Sequence, residues 1–175
     1  MDADIARRFE RLESARTRVL AHLEGREHAV LNQPRPDGGW SALQVLHHVI
    51  TAEAGTLSYV SKKMLAGTSL PRAGLVSRLR LLALQLGNAS PLRFRAPGVT
   101  ADVPAEIDPD QLRARWDEVR AQWKQLLDGF PDELLDRMVF RHAMVGLMGL
   151  PDTLSFLRSH LGRHAQQVER LLRSG

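Results

Sequence analysis

The sequence predicts an all-α chain, most simply a four-helix bundle with one or two extra short helices. Three observations carry this. Apolar residues recur at three- and four-residue spacing in four long stretches. Clusters of proline and glycine separate those stretches. No stretch alternates with period two for long enough to argue for a strand.

The first helix occupies roughly the first 24 residues, with Ile5, Phe9, Leu12, Val19, Leu20 and Leu23 on one face. "NQPRPDGG", Asn32 to Gly39, is a loop. The second helix starts at Ser41. "SALQ" has the form of a capping box, with Ser41 as N-cap and Gln44 reaching back. Trp40 sits just outside it, placed to staple onto the first turn or to wall a pocket. The helix runs to about Ala66, where "GTSLP" ends it.

"LVSRLRLLALQL", Leu75 to Leu86, reads as a shorter helix. A long connection with four prolines follows, from Gly87 to Pro109. Connections of that length often cross a fold or line a site. Asp108 is the N-cap of the next helix and Pro109 its first residue. Leu112, Trp116, Val119, Trp123 and Leu126 or Leu127 form its apolar stripe, and "DGFP" stops it. "DELLDRMVFRHAMVGLMGLP" reads as a short helix followed by a loop. The last helix runs from about Asp152 to Arg173.

A chain of 175 residues suits one domain, 1–175, with a single core. No apolar run reaches the ~18–20 residues of a membrane span. The charged start, MDADIARRFERLE, has no apolar leader core. The expectation is a soluble cytoplasmic protein. There is no cysteine, so disulfides, thiolate metal sites and a catalytic cysteine are excluded. The formal charge is +4, which raises nucleic-acid binding. The basic residues are interleaved with acids, as in "RARWDEVR", and that is the pattern of a solvated helix face. Arg72 to Arg95 is more one-sidedly basic but lacks interleaved aromatics. Nucleic acid is therefore not the expected partner.

The chemistry in this chain centres on its seven histidines. His160 and His164 lie four apart on one flank of the last helix's apolar stripe, and Gln167 lies beside them. Residues four apart have Cβ atoms ~6 Å apart, so two imidazoles can converge on one ion at ~2.0–2.1 Å each. A third ligand has to come from another element, and the second helix offers His47 and His48. Adjacent residues point ~100° apart, so one site takes one of them. If Leu43, Leu46, Ile50 and Leu57 face the core, His47 is nearer. If Val45, Val49, Ala52 and Val60 face it, His48 is nearer. Periodicity leaves this open. Two histidines on an arginine-rich amphipathic helix also arise by chance. His22 and His28 have no partner in sequence and read as surface residues. His142 is either a fourth polar group at the site or a capping residue. Glu53 does not share the face of His48 in a regular helix, so no general base is assigned.

"GGWSALQVLHHVITAE" resembles the first signature of the DinB/YfiT-like superfamily, with a histidine eight residues after the tryptophan; here it is His48. "FRHAMVGLMGLPDTLSFLRSHLGRHAQQVERL" resembles the second signature, with His142, Gly146, His160, His164 and Gln167 at the corresponding positions. Two departures stand out: Ala143 where the family often has proline, and Ala165-Gln166 where it often has an Arg-Gly pair. Neither removes a ligand. The resemblance implies an up-down-down-up four-helix bundle, often a homodimer, with a three-histidine metal site made by His48, His160 and His164. His47 then faces another helix or solvent.

Three imidazoles leave a divalent ion open positions for water and substrate, as in catalytic rather than structural sites. Zinc suits three nitrogens best, and nickel and iron(II) also fit. Such an ion acidifies water, polarises a carbonyl or holds a thiolate. Gln167 is a candidate for orienting a ligand from behind. Similar proteins include transferases and isomerases that use mycothiol, bacillithiol or glutathione, and metal-dependent hydrolases. The expected function is thus a small-molecule metalloenzyme, either thiol-dependent or hydrolytic. Its rivals are a non-enzymatic metal-binding stress-response protein, with tight binding but no turnover, and a helical interaction module unmoved by chelators.

Overall fold

The computed structural model describes residues 1–35, 38–73, 103–143 and 146–173. Within them are four long helices, α1 (Ala3–Ala21), α3 (Ala42–Met64), α4 (Pro109–Asp128) and α5 (Leu150–Arg173), and a short α2 (His28–Asn32). The predicted helix at 75–86 and most of the long connection lie outside the described residues.

Local chemistry sets the helix starts. Asp2 accepts from the backbone N–H groups of Asp4 and Ile5 and caps α1. Ser41 and Gln44 make the reciprocal capping box of α3, at 3.2 and 3.0 Å. Asp108 caps α4, and Pro109 opens it where its missing N–H costs nothing. α5 begins at Leu150, earlier than the sequence suggested, because Pro151 falls in the first turn and is tolerated there.

Side-chain pairs fix the direction of each helix. Arg8 on α1 donates to Ser155 Oγ near the start of α5 at 2.6 Å. Arg26, just past α1, donates to the Leu172 carbonyl near the end of α5 at 3.1 Å. α1 and α5 therefore run parallel. Arg16 pairs with Asp117 and Glu13 with Arg120, so α1 and α4 are antiparallel. Arg115 reaches Thr51 while Arg120 reaches Glu53, so α3 and α4 run parallel. The order is up-down-down-up. Consecutive parallel helices cannot be joined by a short turn, and this accounts for the long connection between α3 and α4.

The core is built from the predicted stripes. Ile5 and Leu12 of α1, Leu43, Leu46 and Ile50 of α3, Trp116, Trp123 and Leu127 of α4, and Leu154, Leu157 and Leu161 of α5 are essentially inaccessible. Each such side chain contributes ~1.5–3 kcal/mol of burial. A buried ion pair penetrates this core. The Arg120 guanidinium is 3% exposed and bridges Glu53, itself 1% exposed, and Glu13, each at 2.9 Å. Trp116 Nε1 donates to the other Glu53 oxygen at 2.9 Å. This cluster ties α1, α3 and α4 together.

The segment before α5 differs from expectation. After a 3-10 turn at Asp132–Leu134, the chain forms an antiparallel hairpin, β1 (Met138–His142) and β2 (Gly146–Gly149). A register shift between Met138 and Phe140 leaves Val139 and Phe140 buried in succession. That bulge erases the period-two signal. The hairpin feeds directly into α5. No helix among the described residues is long and apolar enough to cross a membrane.

Candidate metal centre

His48 lies near the start of α3, which is held at Ser41 by the capping box. α3 and α5 are antiparallel, so this turn of α3 meets the middle of α5. There His160 and His164, one helical turn apart, face it. The ring centroids of His48 lie 5.2 Å from His160 and 4.9 Å from His164, and those two are 4.6 Å apart, all edge-to-face. One nitrogen from each ring lies within 4.8 Å of the others. Three nitrogens sharing a tetrahedral ion at ~2.1 Å are ~3.4 Å apart. Side-chain adjustments of up to about 0.8 Å, within reach of a rotation about χ1 and χ2, bring all three to that spacing.

The electrostatics suit a metal. His48 is 6% exposed, and burial lowers its pKa. Burial drives His160 well below the ordinary histidine value, aided by the neighbouring His164 and His48. Burial and the proximity of His48 bring His164 down to about 4, against the raising effect of its bond to Gln167. All three rings are therefore neutral at neutral pH, the form that binds metal. His164 Nδ1 lies 3.0 Å from Gln167 Oε1. A carbonyl oxygen only accepts, so Nδ1 carries the proton and Nε2 presents its lone pair. Nδ1 of His48 and Nδ1 of His160 are buried with no hydrogen-bond partner among the described residues. Buried polar atoms without partners are costly. An ion at this point engages one nitrogen of each ring.

The adjacent histidines point to different neighbours. His48 joins the cluster, and His47 faces α4, where its Nε2 lies 2.9 Å from Arg115 Nη1. His22 and His28 are exposed and distant in the fold, His28 beside Asn32 and Glu106. Glu53 is spent on Arg120 and Trp116. Trp40 packs its ring 5.3 Å from that of His48, so it walls the centre as well as preceding the helix. Phe156, one turn before His160 on the same stripe, stacks 5.7 Å from it and was not anticipated as part of the site. The spacing 156, 160, 164 carried that signal. His142, at the end of β1, packs its ring 4.7 Å from Phe156. A groove of about 530 Å³ between α3 and α4, lined by Leu57, Ser61, Met64 and Leu126, contains none of the three histidines and carries no comparable chemistry.

Residues 11–168 match the profile of the DinB superfamily. Among solved structures, the fold is similar to YfiT from Bacillus subtilis, described as "a probable metal-dependent hydrolase with an unusual four-helix bundle topology". The TM-score is 0.63 at 18% identity, over 99% of this chain and 89% of that one. It is also similar to TT2238, described as a four-helix bundle protein, with a TM-score of 0.57 at 22% identity over 95% of this chain and 98% of that one. No curated protein matches the sequence.

Proposed function

Since the chain belongs to the DinB superfamily, and three of its imidazoles converge, we propose that it is a metal-dependent hydrolase of a small molecule. His48, His160 and His164 hold the ion, and zinc is the metal that three neutral nitrogens suit best. The observation that carries this reading is the convergence of three neutral imidazole nitrogens within 4.8 Å. The description of YfiT agrees with it. A divalent ion bound there supplies Lewis acidity toward a carbonyl and lowers the pKa of water toward ~7. Gln167 fixes the tautomer of His164 and turns Nε2 toward the ion. Trp40 and Phe156 cover the rings of His48 and His160 and limit access of bulk water. Thiol transfer is the neighbouring chemistry for the same centre. With no cysteine in the chain, it draws its thiol from a low-molecular-weight cofactor.

Metal analysis of the purified protein and of His160→Ala tests the site. About one equivalent of zinc, nickel or iron is expected in the wild type, and little in the variant. Unchanged metal content in His160→Ala refutes the assignment. Ester and amide panels, run with and without glutathione, then separate hydrolysis from thiol transfer.

A further inference from the structure

The three ligands leave one role unfilled. Chemistry at such a centre needs a group that hydrogen-bonds the bound molecule beside the ion, and none of the three can do so while coordinating. Glu53 cannot serve, because its two oxygens are held by Trp116 and Arg120 in the core. The group of ligand atoms that converges here is made of three histidines and includes no carboxylate among the described residues.

His142 is a candidate, and the hairpin sets its position. It is the last residue of β1, paired across the ladder with Gly146, whose φ of +80° favours glycine at that point. Its ring packs against Phe156, which packs in turn against His160. One aromatic ring thus separates His142 from a ligand. It is not one of the three converging groups. It is half-buried, accessible to a small molecule yet held in place. Burial lowers its pKa, so at neutral pH the neutral ring can both donate and accept.

We infer that His142 contacts the molecule bound at the open face of the triad and is its hydrogen-bond partner. The molecules that suit this arrangement are small carbonyl compounds, with a polar atom next to the one that binds the ion. The inference rests on the metal-site reading.

The test compares the wild type with His142→Phe, which keeps a ring against Phe156, and with His142→Gln, which keeps a polar side chain. Zinc affinity is measured by competition with a chromophoric chelator. Binding to the zinc-loaded proteins is then measured for acetohydroxamic acid, which extends beyond the ion, and for azide, which needs only the ion. Loss of one hydrogen bond predicts acetohydroxamate binding about tenfold weaker in His142→Phe, with His142→Gln within about threefold of wild type. Zinc and azide affinities should be unchanged throughout. The inference is overturned if His142→Phe loses zinc affinity, if azide weakens equally, or if acetohydroxamate binding is unaltered or absent in the wild type. A wild-type protein that binds no zinc sinks the metal-site reading and this inference together. A zinc-binding protein indifferent to His142→Phe sinks this inference alone.

Discussion

Replacing Arg120 by leucine tests the polar cluster inside the core. The substitution leaves Glu53, 1% exposed, with Trp116 Nε1 as its remaining bond donor. Removing one partner of a buried pair typically costs ~3–5 kcal/mol. Here protonation sets a ceiling on the charge penalty. For a glutamate of ordinary pKa, about 4.5, protonation at pH 7 costs about 1.36 kcal/mol per pH unit across a gap of about 2.5, or about 3.4 kcal/mol. At pH 5 the same step costs only about 0.7 kcal/mol.

The sign follows from the direction of the shift. Burial pushes Glu53 up, and in the wild type Arg120 and Trp116 pull it partly back. Without Arg120 the folded value rises further. Stability tied to the protonated form is then present at low pH and lost as pH rises through that value. Urea unfolding followed by tryptophan emission should show a deficit of about 3–4 kcal/mol at pH 7, shrinking by about 2 kcal/mol or more at pH 5. Glu53→Leu combined with Arg120→Leu should recover most of the pH 7 loss, since no charge is then left buried. A deficit under about 1 kcal/mol at pH 7, or one of equal size at both pH values, would refute the reasoning.

Other expectations concern the triad and its supports. Gln167→Leu removes the acceptor that orients His164 and should weaken zinc binding about 10–100-fold, read by chelator competition. The folded values of His160 and His164, the latter about 4, lie below that of an exposed histidine. The unfolded chain therefore takes up more protons below pH ~6.5. Stability of the metal-free protein is thus full above that pH and falls toward pH 4, by about 3 kcal/mol for His164 alone with His160 adding to it, measured by urea titration at stepped pH. A flat profile would contradict neutral burial of these rings. Ser41→Ala breaks the capping box and should cost about 1 kcal/mol, with a lower thermal midpoint as the readout.

The caps and stripes of the four long helices were legible because they are local. Ser41, Asp108 and Pro109 act within three or four residues of themselves. The i, i+4 pair His160 and His164 was legible for the same reason. The choice between His47 and His48 was not readable from periodicity, because both α3 faces are covered: α5 takes one and α4 the other. The resemblance selected His48, and the cluster geometry places it beside the other two. Glu53 illustrates the opposite case. A glutamate reads as a surface residue until Arg120 and Trp116, more than sixty positions away, are brought to it. The hairpin was hidden by its bulge, and with it the placement of His142 against Phe156.

The parallel pairing of α1 with α5 sets an order of assembly during synthesis. Arg8 waits for Ser155 and Arg26 for Leu172, contacts separated by 147 and 146 residues. A nascent chain that has emerged only through α4 carries one imidazole of the three and lacks the helix against which α1 packs most extensively. Closure of the core and completion of the triad both depend on α5, so they belong to one late event. Such long-range closure slows folding relative to bundles with short turns. An ion that binds only the closed form then acts as a latch on that last step, favouring chains that have finished folding over those still exposing α1.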